Sequence, residues 1–163
     1  MVTKLPEAIA SVEQLEDILT LPSPRLIEAM RTLDGDIVIL GVGGKMGPTL
    51  AILAARAVQA SGVERQITAV STFTQTGVRE QLEGHGIATH QADLLAPGAI
   101  DALPDAENTM YMVGRKFGST GAEWDTWATN VLAAGLAGRR YAHSRIVAFS
   151  SGNIYPFVPI DSG

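Results

Sequence analysis

Glycines 41, 44 and 47 stand at G-x-x-G-x-x-G spacing in the segment Gly41-Val42-Gly43-Gly44-Lys45-Met46-Gly47. Glycines so spaced serve phosphate chemistry. A pyrophosphate must lie against main-chain N–H groups at a helix N-terminus, and a β-carbon in the turn would hold it off. The last glycine of such a loop lets helix and strand pack closely. Lys45 would favour a pyrophosphate electrostatically, or would be a solvated loop charge. The triplet gains meaning from its context. The apolar run Ile37-Val38-Ile39-Leu40 comes directly before it, and an alanine- and leucine-rich run, 48–58, directly after. Strand, glycine loop and helix follow in the order that a dinucleotide-binding βα unit requires. A tight βα turn that binds no nucleotide is the alternative.

The elements that would hold this loop can be read along the chain. Residues 1–35 form a helical lead-in. Ser11 and Gln14 stand at capping-box spacing before Leu15, Ile18 and Leu19, and Pro22 and Pro24 interrupt. Leu26, Ile27, Met30 and Leu33 then restart a second short helix. Both helices are expected to be amphipathic packing elements without chemistry. From Asp36 the pattern alternates. Strands are expected at 37–40, 66–72, 87–90, 110–113 and 145–150, with helices at 48–58, 76–83, 97–103 and 121–138 between them. No tight hairpin signal joins two strands. This predicts an α/β fold with about five parallel strands, doubly wound in the Rossmann manner, and a ligand at the carboxyl ends of the strands.

Composition removes several classes of function. Of the 163 residues 46% are hydrophobic and 18% charged, which suits a folded domain rather than a disordered chain. Twelve basic against 17 acidic residues give a net charge of −5, which disfavours a nucleic-acid partner. With no cysteine there is no disulfide framework, thiolate metal site or cysteine nucleophile. His85, His90 and His143 are too dispersed for a zinc motif, and His85 and His90 read as surface residues. No apolar run is long enough to span a bilayer, and the N-terminus has no signal-peptide core, so a cytoplasmic protein without a membrane partner is expected.

The loop spacing resembles that of the extended short-chain dehydrogenase/reductase superfamily, the NAD(P)-dependent epimerases and dehydratases. Asp93-Leu94, after the third expected strand, resembles the Asp-Leu pair that this family places near the adenine. Val113-Gly114 is similar to the small residues that end its fourth strand and line the cofactor. Asn130-Val131 resembles its Asn-Val motif. Phe149-Ser150-Ser151-Gly152-Asn153-Ile154-Tyr155 resembles the segment that carries its catalytic serine or threonine. The resemblance covers residues 36–157. It implies NADP or NAD as cofactor and a small-molecule substrate, a sugar nucleotide or a similar hydroxy or keto compound. It also implies a cofactor site at Gly41, Gly44, Lys45, Met46, Gly47, Ser71, Thr72, Asp93, Leu94, Val113, Gly114 and Asn130, with Ser151 as the catalytic candidate. For Asn130 a structural role, bonding the backbone of a neighbouring strand, is the competing reading.

Three features depart from the family pattern. The second strand ends in Ser71-Thr72-Phe73, without the acidic residue that would bond a ribose 2′-hydroxyl and repel a 2′-phosphate, so NADP is favoured. Arg79 could approach that phosphate, although an exposed helical arginine is the simpler reading. Lys45 and Met46 replace the usual aromatic or aliphatic pair. Finally, the family's Tyr-x-x-x-Lys is missing. Tyr111 to Arg115 and Tyr141 to Arg145 are the Tyr-x-x-x-basic strings; both precede Ser151, and they read as a strand and a loop residue rather than as bases. The expected organisation is therefore an extension, 1–35, and a cofactor-binding domain, 36–163, that stops before the catalytic Tyr/Lys helix and is inactive alone. A non-catalytic nucleotide sensor or scaffold of the same fold is the alternative. Trp124 and Trp127 read as core or interface packing. An apolar edge at 145–150 predicts a homo-oligomer.

Overall fold

The computed structural model describes residues 6–115 and 120–150. Its centre is an open, all-parallel sheet of five strands in the order β3-β2-β1-β4-β5, formed by β1 (Ile37–Leu40), β2 (Ile67–Ser71), β3 (Ala88–Gln91), β4 (Asn108–Tyr111) and β5 (Arg145–Ala148). This is the doubly wound α/β architecture expected from the sequence. All four residues of β1 are buried. Ile37 and Ile39 join the core on one face, with Ile52, Leu82 and Ile87, while Val38 and Leu40 join the other, with Leu94, Ile100 and Tyr141. A strand covered on both faces has no polar side to show, hence its unbroken apolar run.

The helices are α1 (Val12–Leu19), α2 (Pro24–Thr32), α3 (Gly47–Ser61), α4 (Val78–Gly84), α5 (Glu123–Trp127) and α6 (Ala133–Arg140), with a π-helical turn, Ala128–Leu132, joining α5 to α6. Among the described residues no helix is long and apolar enough to cross a membrane. The N-terminal cap of α1 is the one the sequence suggests. Ser11 Oγ accepts from Gln14 N at 3.1 Å, and Gln14 Oε1 accepts from Ala10 N at 2.6 Å. Pro24 opens α2 instead of only breaking α1, because a proline is harmless where the N–H would be unpaired, and Ser23 caps it.

Several expectations are corrected. Residues 97–103 form successive turns and not a helix: Gly98, at φ +73°, interrupts the right-handed path, although Ile100 and Leu103 still reach the core. Strand β4 begins two residues before the expected 110 and ends at Tyr111, so Val113 and Gly114 lie beyond it. Its opening residues Asn108 and Thr109 are polar but buried, which hides the strand from a hydrophobicity reading. Helix α1 is not packed through its apolar side. Buried Thr20 and the Asp17–Arg56 ion pair, 2.8 Å, join this end to the domain, whereas Val12 and Leu19 are exposed. Trp124 and Trp127 are 73% and 69% exposed, so neither is core.

Tyr141 lies, as expected, outside the helices and strands, in the turn after α6, but it is buried. It caps α6, is 2% exposed, and donates its hydroxyl proton to Pro104 O at 3.0 Å. It thereby ties α6 to the chain entering β4. Removing a buried aromatic of this size leaves a cavity, so Tyr141→Ala should cost about 3–5 kcal/mol in urea unfolding. A loss below about 1 kcal/mol would show that the site collapses around the deletion.

Candidate functional site

The carboxyl ends of the strands open into a cleft of about 430 Å³. Strands β2 and β3 lie on one side of β1 and β4 and β5 on the other, so the cleft sits where the winding reverses, the place where open α/β sheets take ligands. Its floor is the glycine loop. Gly41 N donates to Val70 O at 2.9 Å and Val42 N to the same oxygen at 3.1 Å, which ends β1 beside β2. Gly44 N to Gly41 O, 3.3 Å, and Gly47 N to Gly44 O, 3.1 Å, form two consecutive turns leading into α3.

The glycines differ in what demands them. Gly41 has φ +85°, and a β-carbon there would lie 2.7 Å from Val113 N. At Gly47 a β-carbon would fall inside contact distance of the Val42 carbonyl, and at Gly43 it would strike Ser71 Oγ. Gly44 is otherwise: its φ is not positive, and a β-carbon would meet only Gly41 O, at an ordinary 3.7 Å. The fold requires glycine at 41 and 47. It does not require it at 44, which is exposed on the cleft. Gly43 is a member of the loop that the spacing argument passed over.

Of the residues singled out in the sequence, Gly41, Gly44, Ser71, Thr72, Asp93, Leu94, Val113 and Gly114 line the cleft together. Lys45 and Met46 are exposed on the loop outside the lining, and Gly47 is buried beneath it. Asp93 also has a local task, since its Oδ1 accepts from Leu95 N at 2.9 Å and shapes the turn after β3. Asn130 lies outside the lining. Its Oδ1 accepts from Arg115 N at 2.7 Å and its Nδ2 donates to Arg115 O at 2.9 Å, so it grips one peptide segment after β4 from both sides. Ser151 lies outside the described residues.

Arg79 does not line the cleft; its Nε donates to Glu83 Oε1 at 2.9 Å and to Thr89 Oγ1 at 3.0 Å. The Thr89 hydroxyl, then Arg79, hold the Glu83 carboxyl below the usual carboxylate range. Burial pushes the Tyr111 hydroxyl up, and does the same to Tyr141 despite Arg140 beside it. A tyrosine base needs the opposite shift. Sequence reasoning missed Thr74, Thr129, Arg115 and Asp125 on the cleft wall. Arg115 and Asp125 form an ion pair there, and ten residues of separation with no regular period gave no signal. No protein-family model and no curated protein matches the chain.

The glycines can be tested without any ligand. Gly47→Ala forces backbone apart and should cost about 1–3 kcal/mol in urea unfolding. Gly44→Ala should stay within about 0.5 kcal/mol of the original protein. Equal losses at both positions would contradict the division of roles described above.

Proposed function

We propose that this chain is the NAD(P)-binding domain of an epimerase/dehydratase-like oxidoreductase acting on a hydroxy or keto substrate such as a sugar nucleotide. The observation that carries the reading is Gly44. Packing leaves room for a side chain there, so its absence is explained by a ligand that comes against the main chain. Among the described residues, the N–H groups of Gly43, Lys45 and Met46 have no acceptor, and they cluster at the start of the fifteen-residue helix α3. Such donors at a helix N-terminus suit a pyrophosphate.

In this reading Gly41 to Gly44 hold the pyrophosphate and Lys45 adds positive charge beside it. Ser71 and Thr72 face the adenosine ribose, Asp93 and Leu94 flank the adenine, and Val113 and Gly114 leave room for the other half of the cofactor. Asn130 positions the segment after Gly114. The bound dinucleotide would supply the hydride chemistry. Ser151 is proposed to orient the substrate oxygen.

Gly44→Val should reduce dinucleotide affinity at least about tenfold while the circular dichroism spectrum stays unchanged. Identical calorimetric affinities for the two proteins would refute the loop assignment. With no carboxylate at the end of β2, NADP should bind at least as well as NAD. A clear preference for NAD would overturn that inference. Among the described residues strand β5 is the last strand of the sheet, with Val147 57% exposed, and we propose that it pairs with a second copy. Light scattering at micromolar concentration should show a species larger than the 17.2 kDa chain that Val147→Lys reduces to a monomer. A monomer from the start would remove this proposal.

A further inference from the structure

The cleft is not electrically uniform. Its lining carries three charged side chains, Asp93, Arg115 and Asp125, so among the described residues Arg115 is its one cation. Asp93 belongs to the β3 end and already accepts from Leu95 N. Arg115 and Asp125 belong to the β4 end, the half of a doubly wound cleft opposite the first βαβ unit. Two features distinguish Arg115 from a surface arginine. Its main chain is held at both N and O by the Asn130 side chain, so the guanidinium starts from a fixed point. One of its partners, Asp125, comes from a different element, α5, and the pair is only partly exposed.

We propose that Arg115 reads an anionic oxygen group, phosphate or carboxylate, on the molecule that enters the β4 end of the cleft, and that Asp125 is its placeholder. Asp125 neutralises the guanidinium until a ligand oxygen takes the same donors. A planar guanidinium matches either anion in a two-pronged arrangement. A part-exposed Arg–Asp pair is weak enough to be exchanged. The inference rests on the reading of this cleft as the ligand site and narrows it: the ligand carries negative charge at the end where β4 and α5 meet. The group could be the cofactor's own pyrophosphate or an anionic substituent of the substrate.

The experiment follows the arginine Nε–H signals of the full chain by NMR, with the Arg115 signal assigned by its loss in Arg115→Met. Sodium phosphate should shift that signal saturably, whereas sodium chloride at equal ionic strength should not. Asp125→Asn should tighten phosphate binding about two- to fivefold, the gain from removing a part-exposed competitor. Arg115→Lys, matched in thermal melting to the original, should retain part of the response. Repeating the titration with saturating NADP separates the two sources. Phosphate still binding beside NADP marks a substrate group, and phosphate displaced by NADP, with weaker NADP binding in Arg115→Met, marks the cofactor. A response in a chain that binds no NADP would remove the cofactor reading and leave this one standing. An equal shift with chloride, or an unchanged phosphate affinity in Asp125→Asn, overturns it.

Discussion

The α-carbon of Gly47 and the carbonyl of Val42 occupy a space that no side chain can enter. That contact sets how near α3 lies to the end of β1, and much of the molecule is arranged from it. With α3 this close, Ala51, Ile52, Ala54 and Val58 reach the sheet core. Helix α2 rests against α3, and α1 is joined to it through Asp17 and Arg56. Gly41 makes the matching approach toward Val113, so the chain leaving β4 passes directly over the chain leaving β1. The cleft is the volume left between these two close passages. Its shape therefore depends on main-chain proximity more than on any large side chain.

The two ends of the sheet are treated oppositely. At the amino ends polar groups are consumed. Asn108 Nδ2 donates to Asp34 O at 2.9 Å and Asp36 O at 3.0 Å, and its Oδ1 accepts from Arg145 Nε at 2.8 Å. Glu107 accepts from Asp36 N at 2.8 Å, and that bond is foremost in holding its carboxyl below the ordinary range. Its contribution is present above the ordinary carboxylate value and fades as the pH falls through the lowered one. These bonds fix β1, β4 and β5 in one register. At the carboxyl ends the glycine loop instead leaves, among the described residues, the N–H of Gly43 in the cleft lining and those of Lys45 and Met46 beside it without an acceptor. A sheet locked at one end can present unpaired groups at the other without losing its alignment.

This asymmetry also explains what could be read from the sequence. Strand β1 was legible because burial on both faces leaves a run of four apolar residues, and the glycine loop because it follows that run. The alternation of elements then pointed to the parallel, doubly wound sheet. Strand β4 was misplaced by two residues because its buried Asn108 serves the amino-end lock and looks like a loop residue. Residues 97–103 resembled a helix because Ile100 and Leu103 have helical spacing, but Gly98, at φ +73°, turns the chain just before them. Asn130 was legible as a backbone-bonding amide, yet its partner at Arg115 was not. The Arg115–Asp125 pair was invisible for the same reason. Its members come from a strand exit and a helix start, and only the fold brings them together.

The charge of the whole chain and the charge of the cleft lead to different conclusions. A net charge of −5 opposes binding to a long polyanion, whose attraction sums over many phosphates. A single pyrophosphate samples a smaller region, because salt screens charges beyond roughly 8 Å under physiological conditions. Within that range the loop offers the N–H groups of Gly43, Lys45 and Met46 and the positive end of α3. The acidic surface therefore need not weaken the local site. On the proposed reading, a compact anion would be held by donors within a few ångströms, whereas an extended one would meet the repulsion of a net negative chain.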